Sequence, residues 1–193
     1  MPIIETWFPC TIYYDDNVFS LEQNKEWEKY CLSLEQQHES GGDAWYGDTY
    51  TSLNQYDLKH DSVFQPLVEE VSKRVHDFAR AFNCMGEYNC KTAWFNVNKE
   101  NTFQEFHTHA GGIFSAIYYV SAPEGSGSVV FEDPKEPDML PLKGVDKRNQ
   151  LSYIVAKYPP ATGKLIIFRS YMRHLVEAGT NTDPRISIAL NFN

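Results

Sequence analysis

His107 and His109 stand two residues apart in Phe-Gln-Glu-Phe-His-Thr-His, residues 103–109, a stretch with the texture of a β-strand. Along a strand, residues i and i+2 point to the same face. The pair therefore presents two imidazoles on one side of a sheet, spaced to grip one metal ion, with Glu105 on the same face. His-x-His pairs are common, and the plain alternative is one satisfied core histidine and one exposed. A donor from elsewhere in the chain decides between the two. His174 supplies a candidate, following the apolar strand Gly163–Phe168 after a short loop. Eleven residues further on, Arg185 opens the alternating strand Arg-Ile-Ser-Ile-Ala-Leu-Asn-Phe. Arg185, Ser187, Ala189 and Asn191 share one face, and Ile186, Ile188, Leu190 and Phe192 share the other. A guanidinium at the head of such a strand needs a counter-charge or solvent. A carboxylate ligand suits its planar fork; a surface pair with Asp183 is the bland alternative.

These residues need a sheet to carry them, and the second half of the chain predicts one. Thr92–Val97, Phe103–His109, Ile113–Val120, Ser128–Phe131, Leu151–Tyr158, Lys164–Phe168 and Arg185–Phe192 read as short strands with turn signals between them. Asp133–Asn149 reads as a long polar loop. The first half reads differently. Ile3–Tyr14 is an edge strand or extended lead-in, because Pro9 cannot donate to a central ladder. Ser20-Leu-Glu-Gln23 looks like a capping box opening a surface helix that runs to about Glu39 and stops at Gly41-Gly42. Ser62-Val-Phe-Gln65 looks like a second box, with Pro66 in the first turn. Apolar residues from Phe64 to Phe82 then recur at helical spacing, and the helix ends between Asn83 and Gly86. His76 on it is structural or exposed. The expected fold class is mainly β with flanking helices: a jelly roll in which residues 91–193 form the core and residues 1–90 supply helical support and lid within one domain.

Composition bounds the function. The chain has 193 residues, 42% of them hydrophobic and 15% aromatic, which suits a packed core and argues against disorder. Its formal net charge is −9, so the surface repels phosphate backbones and non-specific nucleic-acid binding is disfavoured. Cys10, Cys31, Cys84 and Cys90 form no CxxC pair and are expected to be free thiols. Neither a signal peptide nor a membrane-length apolar run is evident, so the expectation is a soluble cytoplasmic protein.

The ordered series His107-x-His109, Tyr118-Tyr119-Val120, Gly163–Phe168, His174 and Arg185-x-Ser187 resembles the non-haem iron(II)/2-oxoglutarate-dependent oxygenase superfamily. It is closest to the prolyl-hydroxylase-like branch and to a group of short His-x-His members. The resemblance covers roughly residues 91–193. It implies a double-stranded β-helix, a cupin-like barrel, with His107 and His174 as iron ligands and Arg185 binding the distal carboxylate of 2-oxoglutarate beside Ser187 and Tyr119. Trp94, Asn96 and Asn191 would line the substrate cavity, and Ser115, Ile117 and Tyr119 would face it from their strand. Phe114, Ile117, Val129 and Ile167 are candidate apolar walls, each also fit for a plain core role. The implied cofactors are Fe(II), 2-oxoglutarate as co-substrate and O2; the implied reaction is hydroxylation, with release of succinate and carbon dioxide. No catalytic residue is expected beyond the metal ligands.

One departure matters. His109 stands where the family has Asp or Glu, whereas the usual facial triad is two histidines and a carboxylate. His109 itself, Glu105, or Glu132 or Asp133 from the following strand are the candidates to complete the site. Two rivals remain: a jelly-roll module that binds metal or ligand without catalysis, and a cupin-type three-histidine enzyme that does not use 2-oxoglutarate. The substrate would be a small molecule or a peptide or protein side chain, received by lids at 41–56 and 134–149. A homodimer is compatible with the sequence but not required by it.

Overall fold

In the computed structural model of the chain, residues 2–41, 45–135 and 142–193 are described. Among these described residues, ten strands form two antiparallel sheets. In chain order they are β1 (Ile12–Asp15), β2 (Tyr50–Thr51), β3 (Cys90–Asn98), β4 (Gln104–His107), β5 (Phe114–Ser121), β6 (Val129–Glu132), β7 (Val155–Tyr158), β8 (Leu165–Arg169), β9 (His174–Val176) and β10 (Arg185–Phe192). The larger sheet runs β1-β8-β5-β10-β3-β2 and the smaller β4-β9-β6-β7. Helices α1 (Leu21–Gln37) and α2 (Gln65–Arg80), with a short 3-10 turn at Leu58–His60, complete the fold.

Period-2 alternation splits the large sheet between two cores. Its outer face turns Phe95, Val97, Ala116, Tyr118, Leu165, Ile167, Ile188 and Leu190 toward the helices. There they meet Trp27, Cys31 and Leu34 of α1 and Leu67, Val71, Val75 and Phe78 of α2. The inner face turns Ile117, Tyr119, Ile166 and Phe168 toward Val129 and Phe131 of the small sheet. The jelly roll and its helical bracing are thus as expected. Phe114 and Ile167 are corrected as cavity walls, because both belong to the helix-side core. Ile166 and Phe168, one register position away, take the inner face instead.

Local chemistry explains the helix ends. Ser20 caps α1, its Oγ accepting from Gln23 N–H at 3.2 Å, but the Gln23 amide turns to Glu26, so only half of the capping box forms. Asn24, Trp27, Cys31 and Leu34 make the narrow buried stripe. The second capping box is absent. Phe64 is the N-cap of α2 without a side-chain bond, Asp61 takes the Val63 N–H at 2.9 Å, and Gln65 donates to the Lys59 carbonyl. Asp61, not Ser62, therefore organises the turn. His76 is structural, bridging Ser72 O and Tyr88 N–H.

Three strands are shorter than expected, among them β4, which ends at His107 rather than His109. Only Ile12–Asp15 of the first segment pairs, as an edge strand on β8, and Pro9 lies outside it. Only Val155–Tyr158 of the Leu151–Tyr158 segment pairs, on β6. The expected lids fall partly on residues 42–44 and 136–141, outside the described residues. The four cysteines are free. Among the described residues, no helix is long and apolar enough to cross a membrane.

Candidate metal centre

His107 is the last residue of β4 and His174 the first of β9, and the ladder sets them directly opposite one another. Their ring centroids are 4.3 Å apart. His109 lies beyond the end of β4, in a turn whose backbone is held by the His109 N–H to Ser170 O bond at 3.0 Å. Its ring stacks on His107 at 5.3 Å and lies 5.1 Å from His174. One nitrogen from each ring falls within 4.8 Å of the others, close enough for all three to bind a single ion.

The nitrogens that face away fix the tautomers. His107 Nδ1 is 2.7 Å from the carbonyl of Glu105, and His174 Nδ1 is 2.9 Å from that of Met172. His109 Nδ1 is 2.6 Å from Asn191 Oδ1. A carbonyl oxygen only accepts, so each Nδ1 carries its proton and each Nε2 keeps a lone pair for a metal. Burial holds all three rings neutral. It pushes His109 down to about 4, with His107 adding to the effect, and lowers His174 well below the ordinary histidine value. His107 is lowered by burial as well. Neutral imidazole is the ligating form.

The carboxylates weighed as alternatives lie elsewhere. A bulge between Gln104 and His107 breaks the simple alternation of β4 and turns Gln104, rather than Glu105, into the cavity. Glu105 Oε1 accepts from Tyr46 N–H at 2.7 Å. Glu132 pairs with Arg173 at 2.5 Å, and Asp133 accepts from Lys135 N–H at 3.0 Å. None of the three belongs to the cluster of converging donors among the described residues.

Deeper on the same inner face is Arg185, 1% exposed. Its Nη1 donates to Asn98 Oδ1 at 2.7 Å and approaches Ser187 Oγ at 3.4 Å. The guanidinium lies over the Tyr119 ring at 4.9 Å. No ion pair among the described residues involves it, which disposes of the Asp183 alternative. Arg185 Nε and the Tyr119 hydroxyl are both buried without a hydrogen-bond partner. Orphaned buried donors are costly, on the order of 1–3 kcal/mol each, so a native chain that keeps them side by side points to a missing acceptor.

A cavity of about 290 Å³ joins the imidazoles to Arg185. Trp94, Asn96 and Asn191 line it, with Ser187, Ala189 and Ile117. Tyr119 lies beneath Arg185, and Ser115 is buried against Asn191 and Ser170. Asn98, Gln104 and Trp45 escaped the sequence reading. Asn98 was within reach of it, since it continues the Trp94, Asn96 face of β3 by alternation. Gln104 depends on the bulge. Trp45 was not singled out, although it lies within the expected lid at 41–56; its ring is 4.8 Å from that of His107.

The family model described as "Putative 2OG-Fe(II) oxygenase" matches residues 92–191. No curated protein matches the chain's sequence. Among solved structures, a Pseudomonas putida prolyl-4-hydroxylase is similar with a TM-score of 0.66 at 12% identity, over 95% of this chain and 92% of that one. A prolyl hydroxylase from Trichoplax adhaerens, in complex with a hypoxia inducible factor oxygen degradation domain peptide fragment, has a TM-score of 0.63 at 16% identity, over 94% of this chain and 82% of that one. HygX from Streptomyces hygroscopicus, with nickel, 2-oxoglutarate and hygromycin B bound, has a TM-score of 0.65 at 11% identity, over 95% and 83%. At such identities the likeness is one of fold, the double-stranded β-helix.

Proposed function

Because the chain belongs to the 2OG-Fe(II) oxygenase family, we propose that it is an iron(II)- and 2-oxoglutarate-dependent dioxygenase whose metal is held by His107, His109 and His174. When bound, the iron and the keto acid supply the oxidation: 2-oxoglutarate and O2 are consumed, succinate and carbon dioxide are released, and one oxygen atom enters a substrate C–H bond.

The chain's own residues bind, orient and shield. Three neutral imidazoles present lone pairs toward one point from both sides of the barrel mouth. Arg185 takes the distal carboxylate of the keto acid, with the Tyr119 hydroxyl and Ser187 beside it. Asn98 holds the guanidinium in place from β3. Phe131, Phe168 and Ile117 pack the inner core behind the site and keep water out. The observation that carries this reading is the pair of orphaned buried donors, Arg185 Nε and Tyr119 Oη, in a cavity that also holds the histidine cluster.

A three-histidine set leaves the metal one negative charge short of the usual triad. Arg185 then acts on the anion alone and is not offset by a ligand carboxylate. We place the substrate among small molecules and peptide or protein side chains. This is supported by similar structures that carry hygromycin B in one case and a peptide fragment in another.

The test is 2-oxoglutarate binding to the Mn(II)-loaded chain, wild type against Arg185→Ala. Loss of the buried cationic partner should weaken binding on the order of 100-fold. Unchanged affinity would remove the keto-acid reading and leave a metal-binding barrel of another kind. Succinate release across a panel of peptides and metabolites then identifies the substrate.

A further inference from the structure

His109 is the least supported of the three imidazoles, because it stands beyond the last ladder pair of β4. Its backbone is tied to Ser170 O, but that bond does not set the ring. The ring is set by Asn191 near the end of β10, whose Oδ1 lies 2.6 Å from His109 Nδ1. Asn191 is itself fixed. Its Oδ1 also accepts from Ser115 Oγ at 2.8 Å, and Ser115 Oγ lies 2.8 Å from Ser170 Oγ. The proton order follows from the acceptor at one end: Ser170 donates to Ser115, Ser115 to Asn191, and His109 Nδ1–H to the same carboxamide oxygen. Gly112 leaves room for this chain, since a Cβ there would come within 2.7 Å of Ser170 Oγ.

We propose that Asn191 is the positioning residue for His109, and that it selects the Nδ1–H tautomer so that Nε2 can ligate the metal. This rests on the reading of His109 as a ligand. The chemistry explains the choice of side chain. With its oxygen toward His109, the carboxamide enforces a free Nε2. With its NH2 toward His109 it would donate to Nδ1, place the proton on Nε2 and disable the ligand. The structure holds the first orientation, with Oδ1 shared by Ser115 Oγ and His109 Nδ1. His107 and His174 need no such partner, because backbone carbonyls only accept. Asn191 thus serves the metal centre as well as lining the cavity.

Three measurements test this on the full chain. Long-range 15N–1H correlation of the metal-free wild type should show His109 as the Nδ1–H tautomer; an Nε2–H tautomer overturns the proposal without any variant. In Asn191→Leu, the Nε2–H form should appear and Co(II) affinity should fall about 10- to 100-fold, whereas Asn191→Asp, which keeps the acceptor, should restore affinity and the wild-type Co(II) absorption spectrum. Wild-type affinity in Asn191→Leu overturns the proposal, as does a loss equal in the Leu and Asp variants. His109→Ala separates the two levels. If it abolishes Co(II) binding while Asn191→Leu does not weaken it, the ligand assignment stands and the positioning role fails; if it leaves Co(II) binding intact, both fail. Ser115→Ala provides a milder variant should Asn191→Leu not fold, and is expected to give a smaller loss in the same direction.

Discussion

The Tyr119 hydroxyl is buried, unpaired and next to a guanidinium that also lacks a partner at one nitrogen. Burial raises its pKa, so it is a neutral donor throughout the physiological range. In the free chain it has no hydrogen-bond partner, so Tyr119→Phe removes an unpaired buried polar group and should hold or raise the urea midpoint. The ring contact with Arg185 is kept in that variant. Only the bond to the ligand carboxylate is lost, and bonds to charged groups are worth about 1.5–3 kcal/mol. The 2-oxoglutarate dissociation constant should therefore rise by roughly 10-fold or more. Urea denaturation reads the first quantity, and titration calorimetry on the Mn(II)-loaded variant reads the second. Equal affinity would mean that the hydroxyl does not face the keto acid.

The elements divide the labour. β10 is the central strand of the large sheet, with β3 and β5 on its flanks. Its even face builds the helix-side core while its odd face carries Arg185, Ser187 and Asn191 into the cavity. Precise placement of the guanidinium thus depends on how firmly the opposite face is packed. Leu67 of α2 is fully buried in that core, some distance from the chemistry. Leu67→Ala should cost about 2–5 kcal/mol in unfolding free energy. Because the ligands sit on the other side of the sheet, Co(II) affinity of the folded variant should change by less than a few-fold. Denaturation curves together with Co(II) titration check this; a large loss of affinity without loss of stability would contradict the division between the two faces. The bulge in β4 is the second element-level device, because it ends the strand at His107 and releases His109 toward β10.

At the scale of the whole molecule, the metal centre joins the two sheets. His107 and His174 come from the small sheet, while the ring of His109 is held by β10 of the large one. A metal bound there holds the mouth of the barrel closed in the folded state alone, so it should add to global stability by linkage, about 2.7 kcal/mol at a free metal concentration of 100 times the dissociation constant. Thermal melts with Mn(II) and with a chelator should differ accordingly, and the difference should vanish in His174→Ala. A chelator that leaves the melting temperature untouched would show that the site carries no metal.

Much of this protein could be read from its residue order. The alternation Arg-Ile-Ser-Ile-Ala-Leu-Asn-Phe told which residues of β10 face the cavity, because a strand has one fixed period and one apolar face. The convergence of His107, His109 and His174, and the depth of Arg185 behind them, were legible as expectations of a known pattern. What local sequence could not determine was anything set by contacts between distant segments. The exclusion of Glu105 depends on a bulge and on the Tyr46 amide, 59 residues away. Trp45 reaches His107 from a distant loop. The partner that orients His109 lies 82 residues from it. The type and period of each element are local properties of the chain, but the orientation of an imidazole is decided by whichever acceptor the tertiary fold brings to its far nitrogen.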